Sequence, residues 1–277
     1  MTRALASVTS SDLAAAVAGT GLAGRPVVLH SSLSSFGHID GGAPAVVDAF
    51  VDAGCTLIVP TFTAGLEVQP PADGQVDRNG MVYGPPTTVT SATPQYSPAA
   101  DDLALSEMGA VPAEVLARHD RVRGGHPLNP FAAVGSDAER YVGPPDADDP
   151  YRPLRAVVAA SGAVVLAGVG YDRMTLLHLA EAAAGRALFV RWALDERRQV
   201  RRYQVGGCSA GFHEAFAAEL DPLALIVTVG ASRWRVLNAA VAFGAATDLF
   251  RQRGLGWGRC EQAGCFRCED NIYLSTH

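Results

Sequence analysis

The stretch Val164-Val165-Leu166-Ala167-Gly168-Val169-Gly170-Tyr171-Asp172, leading through Arg173 and Met174 into Thr175-Leu176-Leu177-His178-Leu179-Ala180-Glu181, constrains this chain more than any other. It reads as an apolar strand, a glycine-marked turn and a helix, the step from which α/β sheets are built. Asp172 is placed as the N-cap, its carboxylate accepting the free amides of the first turn. On the helix Thr175, His178 and Glu181 follow at intervals of three, so a hydroxyl, an imidazole and a carboxylate lie in a row along one side. A carboxylate that orients an imidazole raises its basicity, and the imidazole then takes a proton from a nucleophile. The row starts at a strand's carboxyl end, where open α/β sheets bind ligands. A solvated glutamate on an ordinary helix is the plainer alternative.

Further elements extend this alternation. An Ala-rich helix capped by Ser10 or Ser11 ends near Gly19, and Pro26–Ser31 forms a buried strand. Pro44 sits just inside a helix that ends near Ala53, and Cys55–Phe62 is the next strand. Residues 63–102 are an irregular region rich in Pro, Gly, Asp and Thr, followed by a helix over Glu107–His119. His126–Gly135 enters a strand, Gly143–Pro153 is an acidic turn, and a helix over 154–160 precedes a strand over 163–169. Beyond the Thr175 helix, 187–194 and 199–205 flank the charged turn Asp195–Arg198 as an antiparallel hairpin. A helix near 211–219, a strand near 223–229, a short strand near Trp234–Leu237 and a helix over 238–250 complete the pattern. The expectation is one α/β domain over 1–277, with a mixed, largely parallel sheet flanked by helices plus the hairpin. A Cys-containing tail occupies about 255–277.

The 277 residues suffice for one large core. A net charge of −6 argues against nucleic acid and anionic membranes and suits a cationic substrate. No signal-peptide pattern occupies Met1–Ser11 and no apolar run is long enough for a bilayer, so a cytoplasmic enzyme is expected. Five cysteines fit a reducing compartment better than a disulfide framework.

Outside the Thr175 row, candidate groups are weaker. Ser31-Ser32-Leu33-Ser34-Ser35-Phe36-Gly37 opens a turn that runs to a helix N-terminus at Gly41-Gly42, where anions are favoured, although it matches no known phosphate loop. His30, closing a strand, reads as a packing residue. Asp101, Asp102, Asp146, Asp148 and Asp149 would attract a cationic acceptor if they lined a cleft; a solvated loop is the simpler reading. In the tail, Cys260, Cys265 and Cys268, with the terminal His277, match a Cys₃His zinc set, and part of an iron–sulfur spacing that lacks its downstream cysteine. Unmetallated thiols are the preferred reading, and no metal ligand is assigned. Cys208 reads as a packed residue after the hairpin.

Four ordered segments together resemble the aminoglycoside 3-N-acetyltransferase family, whose fold is not that of the GNAT enzymes. They are His30-Ser31-Ser32-Leu33 with Phe36-Gly37 and Gly41-Gly42-Ala43; Thr56-Leu57-Ile58-Val59-Pro60-Thr61; His126-Pro127-Leu128 with Phe131–Gly135; and Leu166–Val169 leading to Thr175–Glu181. The resemblance implies transfer of an acetyl group from acetyl-CoA to an amine, most simply the 3-amine of an aminoglycoside. His178 would be the general base, Glu181 its orienter, and Thr175 a hydrogen-bonding partner near the thioester. Residues 31–37 would hold CoA, and His126, Asn129, Thr61 and Asp172 would line the substrate site. The implied partners are a small cationic amine and acetyl-CoA, and a homodimer is allowed. Two loop positions depart from the pattern: Pro130 stands where a serine is common, and Arg152-Pro153 where Ser-Pro is common. They open the alternative of a biosynthetic amine as acceptor, and the tail cysteines that of a zinc- or ligand-binding protein with a vestigial CoA site.

Overall fold

The computed structural model describes residues 7–101, 103, 108–143, 148–254 and 256–276. Asp102, Glu107, Asp146 and His277 therefore lie outside the described residues.

A seven-stranded sheet forms the centre. Its strands are β1 (Pro26–Ser31), β2 (Thr56–Pro60), β3 (Val122–Arg123), β4 (Phe131–Val134), β5 (Ala163–Ala167), β8 (Leu225–Val229) and β9 (Ser232–Asn238). They lie in the order β3-β4-β2-β1-β5-β9-β8. The sheet is mixed: β1 pairs in parallel with β2 and β5, and the pairings outside these three strands are antiparallel. The sheet is mixed as expected but not largely parallel: two pairings are parallel and four antiparallel, because βα connections enforce parallel pairing at the centre alone. The hairpin β6 (Phe189–Leu194) and β7 (Val200–Val205) forms a separate two-stranded sheet.

Alternation along the central strands builds two cores. Val27, Leu29, Leu57, Val59, Val165 and Ala167 face α1 (Ser10–Gly19), α2 (Gly42–Asp52) and α3 (Ala110–Ala117), with Trp234 packed between Phe36 and Phe50. Val28, Ile58, Val164 and Leu166 face the other side. There they meet α4 (Ala138–Val142), α5 (Arg152–Ala159), α6 (Leu176–Ala183), α7 (Phe212–Leu220) and α8 (Ala239–Arg253). Strands buried on both faces read as unbroken apolar runs, as these do. The tail ends in α9 (Phe266–Thr276), which packs against the hairpin side. Among the described residues no helix is long and apolar enough to cross a membrane.

Two cap assignments are corrected. Helix α1 is capped by Thr9, whose hydroxyl accepts the Asp12 amide while the Asp12 carboxylate returns to Thr9, a reciprocal capping box. Asp172 does not cap α6: it lies in a 3₁₀ turn over Tyr171–Arg173, and Thr175 occupies the cap position with no side-chain cap bond. Strand β9 is also larger than its sequence signal. Its seven residues pair with both β5 and β8, because alternating arginines (Arg233, Arg235) hide a strand whose other face is buried.

Candidate active site

A cleft of about 790 Å³ opens beyond the carboxyl ends of β1, β2 and β5. The chain leaves β1 toward β2 on one side, while β5 flanks β1 on the other. That reversal creates a crevice between the two strand ends. Ser32 donates its amide to the Ala167 carbonyl at 3.0 Å, fixing the ends together. Gly168 follows with φ +71°, and a Cβ there would meet Ser35 Oγ at 1.9 Å, so only glycine fits the turn into the cleft.

His178 stands on the first turns of α6 with its ring in the cleft wall. Its Nδ1 lies 2.7 Å from Glu181 Oε1. Glu181 is 2% exposed, and its second oxygen accepts from Arg186 Nη1 at 3.0 Å. Arg186, also buried, stacks over Phe250 and donates to the Trp257 carbonyl. A carboxylate so paired only accepts, so Nδ1 carries the proton and Nε2 the lone pair. Among the described residues no group bonds Nε2. Tyr151 lies parallel to the imidazole with centroids 6.4 Å apart, and Phe212 closes on it at 5.3 Å. Gly206 packs on the ring so closely that a Cβ would meet His178 Cγ at 2.8 Å and the Tyr151 hydroxyl at 2.5 Å. The imidazole is thereby clamped, with one nitrogen committed to Glu181 and the other presented as a proton acceptor.

The other expected residues divide. Thr175, Asp172, Asn129, Ser31, Ser32, Leu33 and Ser34 line the cleft with His178. Ser35, Phe36 and Gly37 do not: the Ser35 hydroxyl bonds the Ser32 carbonyl and Ser232, Phe36 is buried against Trp234, and Gly37 turns the chain away. Thr61 is fully buried between Pro60 and Phe62, its hydroxyl donating to the Pro130 carbonyl at 3.2 Å. His126 is likewise set back from the cleft. Its Nδ1 accepts the Leu128 and Asn129 amides and its Nε2 meets the Gln204 carbonyl at 3.0 Å, so both nitrogens are spent on shaping the loop that presents Asn129. Burial pushes its pKa down from 6.5 to about 4. Asp149 and Asp148 turn to Arg155 and Arg201 and do not line the cleft.

Several residues around the cleft and its histidine were not legible. His30, expected only to pack, lines the cleft; among the described residues its Nε2 has no partner, and burial lowers its pKa to about 4. Arg186 lies five residues after Glu181, beyond the helix end, a spacing that carries no signal. Tyr151 sits in a turn with no periodic pattern. In the tail, Cys260, Cys265 and Cys268 converge on Cys208, with their sulfurs all within 4.8 Å of one another.

Residues 28–251 match the family model described as aminoglycoside 3-N-acetyltransferase. The aminoglycoside N(3)-acetyltransferase VIII of Streptomyces fradiae is 35% identical over 170 residues, which make up 58% of this chain and 56% of that protein. The chain thus spans less than two thirds of the length of the curated relatives it matches first. Aminoglycoside acetyltransferase AAC(3)-IVa, solved as the apoenzyme, superposes with a TM-score of 0.73 at 22% identity, covering 97% of this chain and 98% of that one. AAC-IIIb, solved as a binary complex with CoASH, gives 0.73 at 22% identity over 93% of this chain and all of that one. A fold shared along its length, and a family match running from β1 into α8, place the chain: it belongs to the aminoglycoside 3-N-acetyltransferase family.

Proposed function

We propose that this protein transfers the acetyl group of acetyl-CoA to the 3-amine of an aminoglycoside, with His178 as general base. The observation that carries the reading is the Arg186–Glu181–His178 chain, which ends on a free imidazole nitrogen at the cleft wall. The acceptor amine attacks the thioester carbonyl carbon as His178 Nε2 removes a proton from nitrogen. The new C–N bond forms and the C–S bond breaks. CoA leaves as the thiolate and takes its proton from His178. Base assistance of this kind contributes roughly 10²–10⁴-fold. Glu181 stabilises the imidazolium that forms in between. Thr175, whose hydroxyl caps no helical amide, is free to donate toward the developing oxyanion. Ser31, Ser32 and Ser34, at the mouth of the cleft, suit the polar arm of CoA.

A second reading keeps the chemistry and changes the acceptor to a less cationic amine. It is favoured by the cleft's electrostatics: among the described residues Asp172 is its one carboxylate, and Arg173 lies 3.4 Å from it. The test is release of free CoA, followed with a thiol reagent, over a panel of aminoglycosides and simple amines. Turnover that requires a free 3-amine supports the first reading. Turnover restricted to other amines supports the second, and no thiol release with any acceptor overturns both.

A further inference from the structure

We propose that Cys208, Cys260, Cys265 and Cys268 form a closed tetrathiolate site for one zinc ion, which ties the C-terminal segment to the loop behind the cleft. The four sulfurs lie within 4.8 Å of one another, and Cys260 Sγ is 3.7 Å from Cys268 Sγ. Metal–sulfur bonds of about 2.3 Å in a tetrahedron separate the sulfurs by about 3.8 Å. A disulfide would require about 2.05 Å, and all five cysteines are free. The space enclosed is that of a single ion.

The gathering is not a local accident. Cys208 lies 52 residues before Cys260 in sequence, in the loop after β7. Cys265 and Cys268 form a tight knuckle at the start of α9, with the Cys268 amide donating to the Cys265 carbonyl at 3.0 Å. A thiophilic dication binds such a set as thiolates, its binding releasing their protons. Four protein ligands leave no open position, so the role is structural. Its location gives that role a consequence. Gly206, Gly207 and Ser209, which flank Cys208, line the cleft, and Gly206 packs on His178. Trp257, three residues before Cys260, accepts from Arg186 through its carbonyl.

The experiment is elemental analysis of protein purified without chelators, together with cobalt(II) titration of chelator-stripped wild type and of the Cys208→Ser and Cys268→Ser variants. The expected result is one zinc per chain, the intense thiolate-to-cobalt and visible bands of a tetrahedral tetrathiolate in the wild type, and at least tenfold weaker metal retention in either variant. Should the variants not fold, the wild-type cobalt spectrum still decides. Substoichiometric zinc with no tetrathiolate cobalt bands overturns the site. Iron in place of zinc overturns the metal. Stoichiometric zinc unaffected by both substitutions overturns the assignment of ligands.

Discussion

Glu181→Gln removes one charge and almost no volume, and its consequence follows from the two partners of the carboxylate. Glu181 Oε1 accepts from His178 and Oε2 accepts from Arg186. An amide has one accepting oxygen and one donating nitrogen. Arg186 cannot stop donating, so the glutamine oxygen turns to it and the amide NH₂ faces His178 Nδ1. The imidazole then switches tautomer, placing its proton on Nε2 and presenting no lone pair to the substrate. Loss of a charge-assisted hydrogen bond alone is worth about 1.5–3 kcal/mol, roughly 10–150-fold in rate. An imidazole held in the wrong tautomer costs about 10⁴-fold in serine-protease triads. The expectation for Glu181→Gln is therefore a fall in kcat of about 10²–10⁴, with KM for both substrates within about threefold. The assay is thiol release under saturating acetyl-CoA. The double variant Glu181→Gln/Arg186→Met provides the internal control: without the competing donor the amide oxygen can return to Nδ1, so kcat should rise above that of the single variant. A Glu181→Gln enzyme within threefold of wild type, or a double variant merely multiplying the two losses, would refute the tautomer argument.

His178→Ala should lower kcat by roughly 10²–10⁴ while CoA binding, measured by calorimetry, stays near wild type; an unchanged kcat removes His178 as base. His30 and His126 are both held neutral, with pKa values of about 4 against an ordinary 6.5. The unfolded chain takes up protons that the folded chain rejects, so stability is full above about pH 6.5 and declines toward pH 4, by up to about 3 kcal/mol for each ring. Urea midpoints that do not change between pH 7.5 and 4.5 would contradict this. Gly168→Ala must hold φ at +71° and displace Ser35, and should cost about 1–3 kcal/mol from the backbone alone, read as a lowered urea midpoint. Trp234→Ala, emptying the space between Phe36 and Phe50, should cost about 3–5 kcal/mol; a loss under 1 kcal/mol would mean the core collapses around the gap.

Strand β1, strand β5, the hairpin and the His178–Glu181 pair were legible because each rests on short-range pattern: apolar runs, a charged turn, or helical spacing. The Ser31–Ser34 wall was legible as a turn at a strand end. Tyr151 and Cys208 were not, since their partners come from elements far apart in sequence and only the tertiary fold joins them; Arg186, five residues past Glu181 and beyond the helix end, has a spacing that carries no signal. His126 and Thr61 misled for the opposite reason. Their polar atoms are satisfied by backbone carbonyls and amides of the Pro127–Pro130 loop and of Gln204, a use of polarity that residue type alone does not distinguish from substrate contact. The Asp172 cap failed because a 3₁₀ turn intervenes before α6.

The pairing of β1 with β5 joins Val27 to Ala163, 136 positions apart. A chain growing from its N-terminus therefore completes β1, α2 and β2 long before the strand that must cover the open side of β1 exists. The middle of the sheet closes late, and helix α6 with His178 follows β5 directly, so the reactive crevice is among the last features to assemble. High sequence separation of central contacts slows folding and prolongs exposure of apolar strands. Refolding from denaturant should consequently be slow and concentration-sensitive, and any truncation ending before Ala163 should leave an insoluble half-sheet.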